Sequence, residues 1–427
     1  MISSFKNNKF NIFKVIYLIP IFLITGPFLP DLTVSLSVIF FLYYFFKYER
    51  SYFNNNFFIF FSIIYLFLLL CTIFSTNFIF SLKSTLPYFR FFIFCLAIVY
   101  LIEKKILVIE TLHKILFLIF FIIFFDSIFQ FITGENIIGF KSPLHYRITS
   151  FFGDEAILGS YTLKFLILFL FLNNLVNYKY KNYLFFLSIF MSTIIIILSG
   201  DRTPLVFLII YMLLLFVMDF KKIYPIFIVF VLTLSVSIFN SDTLKKRFVH
   251  MTFQGFYKTL GNFDNQRYKE KKNLEFIQQE KPKFFISHSH HQHIVAAIKI
   301  FKDHIIIGSG PNTFRILCFD EKNTYNEFDN SCSSHPHNFY IQLLSETGII
   351  LPILFLIIFL IVVYKIFVLL IKKNGHISNE YLILLNIFII LFPLSPNGNF
   401  FNNWLNIINF FPFGFYLSYY KNYLISK

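Results

Sequence analysis

Apolar runs recur along this chain, each long enough to cross the roughly 30 Å of a bilayer's hydrocarbon. They cover 13–29, 32–46, 57–75, 88–102, 106–133, 156–174, 183–199, 203–219, 223–239, 349–371, 381–395 and 403–420. Little sequence remains for anything else. Hydrophobic residues make up 57% of the chain and charged residues 14%, where a soluble domain has about 25% charged. One water-soluble core is therefore excluded, as are collagen-like, disordered and disulfide-scaffold classes. The expected fold is an all-α polytopic membrane protein of about twelve transmembrane helices. The first pair is the weakest, because Gly26-Pro27 and Pro30-Asp31 crowd a short connection. Lys6, Lys9 and Lys14 ahead of an apolar run resemble a secretory signal. No small-x-small cleavage site follows, so the segment reads as a retained helix.

Lysine and arginine in short loops set the orientation. With the N-terminus in the cytoplasm, twelve spans return the C-terminus there. Cytoplasmic segments then hold fifteen cationic residues, among them Lys47, Arg50, Lys104, Lys105, Lys221, Lys222, Lys372 and Lys373. The opposite short loops hold four: Lys83, Lys141, Arg147 and Arg202. The net charge of +15 has two readings, compositional drift toward lysine and asparagine or attraction to anionic lipid or phosphate.

The organisation follows as a membrane region over 1–239 with about nine spans, a large outer loop over 240–348, and a membrane region over 349–427 with about three. The loop carries eight of the eleven histidines. Such a concentration of ionisable groups in one long connection is a natural place for chemistry. Its last third reads as a helix around Ile294–His304, a turn at Gly308-Ser309-Gly310-Pro311, and a second helix from about His337. Cys71 and Cys95 fall inside spans and read as packing residues. Cys318 and Cys332 lie in the outer loop, where an oxidising compartment permits a disulfide closing a ring of about fifteen residues, worth roughly 3 kcal/mol by chain entropy. Two free thiols are the alternative.

Four groups of residues could carry chemistry. The first is Ser199-Gly200-Asp201-Arg202-Thr203-Pro204, between two apolar runs. It reads as an ordinary hairpin with an interfacial Arg, or as a guanidinium aimed at phosphate, which its planar fork binds through two hydrogen bonds. The second is His335-Pro336-His337-Asn338. Imidazole is well placed for proton transfer near neutral pH, and Pro336 leaves His337 near a helix start. The third is His288, His290, His291 and His293. A zinc site is one reading, but no acidic or cysteine ligand lies at a metal spacing, so contact of His290 or His293 with an anionic substrate is preferred. The fourth is Arg147, followed by Asp154 and Glu155, as a loop-fixing ion pair or a substrate contact. There is no Walker lysine motif and no dinucleotide pattern, so neither a nucleotide nor a nucleic acid is an expected partner.

These residues resemble the O-antigen ligase and O-antigen polymerase superfamily of bacterial envelopes. The resemblance rests on Leu198 to Thr203, on Phe301 to Phe314, and on His335-Pro336-His337-Asn338 with the downstream Glu346-Thr347-Gly348. Arg147 to Ser160 and Phe400 to Trp404 support it. It implies inverting glycosyl transfer without metal or cofactor at the periplasmic face of the inner membrane, with a glycan on undecaprenyl diphosphate as donor. By the same resemblance Arg202 binds the diphosphate and His337 deprotonates or orients the acceptor hydroxyl. Arg147, His290, His293, His335 and Asn338 are the remaining substrate-binding candidates. Many members carry an Arg ahead of the helix that ends near Lys302-Asp303-His304. Here that stretch reads His290-His291-Gln292-His293-Ile294, so either a histidine replaces it or Arg267 supplies the cation.

The physical account needs no name. A diphosphate leaves with developing negative charge, which fixed cations stabilise by on the order of 3 kcal/mol per contact. The leading expectation is a polymerase joining lipid-linked repeat units, with the bilayer and a chain-length regulator as partners. The nearest rival is a ligase that transfers the finished glycan to lipid A–core. A lipid-linked sugar transporter is the alternative from another class, although the two halves show none of the symmetry that transporters carry. A non-catalytic scaffold is the last.

Overall fold

The computed structural model describes residues 11–48, 56–142, 147–253, 288–323, 332–372 and 375–425. Arg267 lies outside them. A 3-10 helix over Asn11–Leu18 runs into α1 (Ile19–Thr25), then α2 (Phe28–Tyr48), α3 (Asn56–Ile73), α4 (Phe78–Thr85), α5 (Phe89–Glu103) and α6 (Ile109–Thr133). Next come α7 (Leu158–Leu175), α8 (Lys181–Ser199), α9 (Arg202–Met218), α10 (Phe220–Asn240) and the short α11 (Asp242–Lys245). After them stand α12 (His288–Asp303), α13 (Phe314–Leu317), α14 (Phe339–Thr347), α15 (Ile350–Lys372), α16 (Asn379–Leu391) and α17 (Asn403–Ile425). No β-strand occurs among the described residues.

Seven helical stretches are long and apolar enough to cross a bilayer: α3, α4 continued into α5, α6, α7, α8, α10 and α15. Phe13–Thr25, Phe28–Tyr44, Arg202–Met218 and Asn379–Leu391 are apolar but shorter. Each of these overlaps a window read from the sequence, while the full count of twelve crossings remains a reading of the sequence. The chain is a polytopic α-helical membrane protein.

Burial separates an inner layer from an outer one. In the apolar window of α7, 78% of residues are buried inside the protein, against 17% in α10 and α15. A helix that is apolar all round must be covered all round. For α7 the cover is protein, whereas α15 turns Leu360, Ile361 and Phe367 outward, a surface that only lipid can cover favourably. Aromatic pairs fill the seam between α5 and α17, with Phe91 stacked on Phe410 at 5.8 Å and Phe94 on Phe411 at 6.4 Å. Each such pair adds about 0.5–1.5 kcal/mol beyond area burial. The seam is tight: a Cβ at Gly414 would stand 2.6 Å from Ile98.

Four boundaries differ from the sequence reading, each for a local reason. Residues 78–85, expected in an outer loop, form α4, because the Asn77 side chain accepts the Phe80 N–H at 3.2 Å and caps it. Pro87 then sits in a 3-10 turn, Leu86–Tyr88, that passes directly into α5, where a missing N–H costs nothing. The span expected to reach 395 stops at Leu391, because Phe392 precedes Pro393 and takes an extended conformation. The loop helix begins at His288 rather than Ile294, and the next begins at Phe339, capped by Asn338.

The described part of the 240–348 region is joined to the bundle. Ala296, Ala297 and Ile300 of α12 meet Phe314 and Cys318 in a small satellite core. Phe339, Tyr340 and Leu343 of α14 belong to the main core. Cys318 and Cys332 form a disulfide with Cα atoms 5.1 Å apart.

Candidate functional site

Two turns of backbone meet at the top of α14. The loop after α12 crosses the helix's C-terminal end, where the N–H groups of Ser309 and Gly310 donate to the carbonyls of Ser345 and Glu346 at 3.0 and 2.9 Å. The Ile349 N–H returns to Ile305 at 3.0 Å. Only glycine fits at this crossing. A Cβ on Gly308 would lie 2.3 Å from the Glu346 carbonyl carbon, and one on Gly348 would lie 2.2 Å from the Ile306 carbonyl oxygen. Both also have positive φ, +75° and +72°, a region that glycine enters without steric cost. Thr76, between α3 and α4, donates its N–H to the Ser309 carbonyl at 2.9 Å and clamps the loop from the other side.

Below the crossing, Glu346 is fully buried. Its carboxylate accepts the N–H groups of Asn312 (2.9 Å) and Phe314 (3.1 Å) and the Gln342 amide (3.0 Å). Burial pushes the group up to about 7, against the pull of those donors. Gln342 also donates to Asn399, and Asn399 donates to Asn312, both at 3.0 Å. Buried polar networks hold one conformation when every member is satisfied. This one ties the loop carrying Asn312 and the loop carrying Asn399 to one helix.

The His335-Pro336-His337-Asn338 run lies against the 393–399 loop. The Asn338 side-chain oxygen Oδ1 accepts the Ile341 N–H at 3.1 Å, and the side-chain amide N–H groups donate to the carbonyls of Pro393 and Ser395 at 2.7 and 3.3 Å. His335 places Nε2 3.1 Å from the Asn397 carbonyl, which assigns the proton to that nitrogen, and its Nδ1 accepts from Ser334 at 2.9 Å. His337 has φ +57°, a costly conformation for a side chain of this size and one that concentrates at functional sites. The Asn397 N–H holds its carbonyl at 2.8 Å.

That backbone turns His337 into a group of imidazoles. Its ring centroid lies 4.4 Å from His335, 4.7 Å from His290 and 5.3 Å from His293. His290 and His293 reach it because they sit three residues apart on one face of α12. Burial, then the neighbouring imidazoles, lower His337 to about 3. Burial also lowers His335 to about 4 and lowers His290. All three are neutral at pH 7, so the rings pack without charge repulsion. No three His, Cys, Asp or Glu side chains among the described residues are arranged to hold a metal ion.

The first motif builds a different structure. Asp201 forms an ion pair with Arg147 and accepts the Gly159 N–H at 3.0 Å. Arg147 also donates to the Ala156 carbonyl at 3.0 Å and the Ser199 carbonyl at 3.3 Å. Its loop is braced from α6, where Gln130 accepts the N–H groups of Thr149 and Ser150 at 3.2 and 2.7 Å. Arg202 donates to the Arg247 carbonyl at 3.2 Å, while Arg247 Nε donates to the Gly200 carbonyl at 2.9 Å.

Between these two structures lies a cavity of about 1780 Å³, well above the roughly 300–1,000 Å³ of ordinary small-molecule sites. One flank is apolar, built by Ile115, Ile119 and Ile122 of α6 with Ile21 and Ile24. The other end is polar, with Asn312, Arg315, His335, His337 and Asn399, and Lys83 and Arg147 at its sides. The structure thus brings His335, His337 and Arg147 to one cavity and sets His290 and His293 behind His337. It does not bring Arg202 there: that side chain is not among the cavity's lining residues, because it turns to the backbone at Arg247. Arg315 and Lys83 were passed over in the sequence. The only signal for Arg315 was its place directly after the Gly308 to Phe314 motif.

Comparison with known proteins agrees with the sequence resemblance over part of the chain. Residues 186–356, from α8 into α15, match the family model described as O-antigen ligase. No curated protein matches the chain.

Proposed function

On the premise that residues 186–356 carry an O-antigen ligase family domain, we propose that the chain transfers glycan from undecaprenyl diphosphate, with inversion and without metal, at the periplasmic face of the bacterial inner membrane. The termini then lie in the cytoplasm and the 240–348 region in the periplasm, as the lysine and arginine asymmetry favours. The observation that carries the reading is the two-sided cavity. Its apolar flank suits a polyprenyl chain, and its polar end offers a neutral imidazole beside cationic groups.

In this reading the acceptor hydroxyl attacks the anomeric carbon from the face opposite the diphosphate. The carbon–oxygen bond to phosphorus breaks, undecaprenyl diphosphate departs with the electron pair, and the configuration inverts. His337 orients the hydroxyl and takes its proton. A nitrogen lowered to about 3 is a weak base in the empty site; an adjacent dianion raises it, so the base strengthens when donor is bound. Arg147, fixed by Asp201, contributes positive charge at the cavity's side. Arg202 is given no diphosphate contact here, because it does not line the cavity and its Nη2 donates to the Arg247 carbonyl.

The reaction as first read is polymerisation of repeat units. The description of the matched family favours the second reading, ligation to lipid A–core. Glycan analysis in the host separates them. A deletion strain would be complemented with wild type, His337→Ala or Arg202→Ala. Cores bearing a single repeat unit in the deletion mean polymerase. Bare cores with long chains held on undecaprenyl diphosphate mean ligase. A full wild-type ladder from the His337→Ala strain overturns the assignment of His337.

A further inference from the structure

The loop between α16 and α17 is built unlike the rest of the cavity wall. No charged residue occurs from Tyr381 to Tyr420. Within that stretch the loop places four asparagines, Asn397, Asn399, Asn402 and Asn403, directly ahead of Trp404, the chain's single tryptophan. All five residues line the cavity. The loop's backbone is committed to the histidines. The Asn397 N–H holds the His337 carbonyl at 2.8 Å, and the Asn397 carbonyl accepts from His335 at 3.1 Å. The wall thus starts one hydrogen bond from the proposed base.

The side chains divide into bound and open groups. Asn399 is used inside the wall, donating to Asn312 and Ser334 and accepting from Gln342 and the Phe401 N–H. Asn402 gives its oxygen to the Leu405 N–H at 2.9 Å and caps α17. Its amide nitrogen and the whole Asn403 side chain make no hydrogen bond among the described residues, and both residues are exposed. Trp404 closes the stretch. Its Nε1 donates to the Leu23 carbonyl at 2.8 Å, which ties the ring to the apolar flank beside Ile21 and Ile24 and uses its one donor. Phe400 and Phe401 pair with Tyr88 at 5.5 and 5.8 Å, whereas Trp404 has no ring partner among the described residues. The half-buried indole therefore brings apolar surface to the cavity.

From the base to the apolar flank, this wall offers amides, one aromatic surface and no charge. A phosphate is best held by cations, and a polyprenyl chain laid over open amides would bury them unpaired. A sugar ring fits both halves, because its hydroxyls exchange neutral hydrogen bonds and its C–H groups lie against aromatic rings. We propose that residues 397–404 are the glycan-recognition wall of the cavity, with Trp404 as the platform and Asn402 and Asn403 as the groups that read hydroxyls. The proposal rests on the glycosyl-transfer reading and names the part of the substrate that this wall contacts. A sugar on the lipid-linked donor and a sugar of the acceptor share that chemistry, and the test separates them.

Binding to the purified full chain in nanodiscs is measured for four ligands. They are undecaprenyl diphosphate, the same lipid carrying the first sugar of the host glycan, the host repeat-unit oligosaccharide freed of lipid, and lipid A–core. Trp404→Ala should weaken a sugar-bearing ligand about 2- to 12-fold, the range of one aromatic contact, and leave bare undecaprenyl diphosphate unchanged. Trp404→Phe should recover most of that loss, because it keeps a ring. Asn403→Ala, at the exposed start of α17, should cost about 2- to 10-fold for one hydrogen bond with the same selectivity, and it carries the test if Trp404→Ala fails to fold. Selective loss with the monosaccharide-bearing lipid supports the wall and places it on the donor. Selective loss with the free oligosaccharide or lipid A–core supports it and places it on the acceptor. Equal weakening of bare undecaprenyl diphosphate would mean a structural role and overturn the proposal. Unchanged binding of every sugar-bearing ligand by both variants would overturn it too, with the glycosyl-transfer reading intact. If wild type binds none of the sugar-bearing ligands, that reading fails as well.

Discussion

The two motif regions beside the cavity use similar residues to opposite ends. Around Asp201, Arg147 meets a carboxylate, Arg202 donates to the Arg247 carbonyl and Arg247 to the Gly200 carbonyl. Around His337, the partners are other neutral rings, and Arg315 stands within electrostatic reach of the buried Glu346. The first region is held by charge-assisted contacts, the second by ring packing. A guanidinium in a motif is therefore weak evidence for substrate contact until its donors are accounted for.

The sharpest way to break that contrast is to remove one residue from each side. His337→Ala should lower turnover about 10²- to 10⁴-fold, the usual worth of a positioned general base, with the protein folding normally. Arg202→Ala should instead lower the yield of folded protein more than the turnover of each folded molecule. Glycan transfer per mole of purified protein, measured beside thermal unfolding in detergent, checks both. A turnover loss for Arg202→Ala matching that of His337→Ala, at unchanged stability, would erase the distinction.

Asp201→Ala tests the structural side directly. Arg147 and Asp201 expose only 15% and 10% of their side chains, so removing the carboxylate strands a charge and the Gly159 N–H together. Breaking a buried pair costs about 3–5 kcal/mol, and the residual exposure puts the expectation near the lower end. The unfolding midpoint should drop sharply, and replacing Arg147 by Met in the same chain should recover much of the loss.

Gly308→Ala is expected to cost about 1–3 kcal/mol as for other overpacked sites, because the added Cβ meets backbone of Glu346 and Thr347 and no side chain that could swing away. Its effect should also be asymmetric. The turn carrying Arg315 would move, while the Asp201 side stays put. Donor binding should weaken more than the unfolding midpoint falls.

How much of this was legible in the sequence follows from range. Helices α6, α7 and α15 could be read because lipid or core demands long apolar runs, a local property. The cap at Asn77 was equally local but lay under a stretch read as loop, so α4 was missed. His290 and His293 were read as substrate contacts in a His-rich stretch, without a partner. Their meeting with His337 depends on α12 packing across forty residues of chain, through Ala296 and Ala297, and no spacing rule encodes that. Arg315 was passed over for the same reason, because only the fold sets it at the cavity wall near Glu346. For Arg202 the motif was plain, and its contact with the Arg247 carbonyl was not.

The gentlest test is pH, and its sign separates activity from stability. Burial holds His337 and His335 at about 3 and about 4, below the ordinary 6.5 of the unfolded chain. Between those values the unfolded state binds protons that the folded state refuses, so stability should rise with pH and be lost as pH falls from about 6.5 toward 4. Catalysis by the free protein should respond differently, since the base stays neutral across that window. The acid limb of kcat/KM should therefore sit well below pH 6.5, while the unfolding midpoint already declines. His335→Asn removes one ring beside His337 and keeps a side chain that can donate to Asn397. It should lift the acid limb toward 6.5, because one neighbour that opposes protonation is gone. An acid limb at 6.5 in wild type would show that the imidazole group opens to water in solution, and the contrast between charge-assisted contacts and ring packing would then fail on the His337 side.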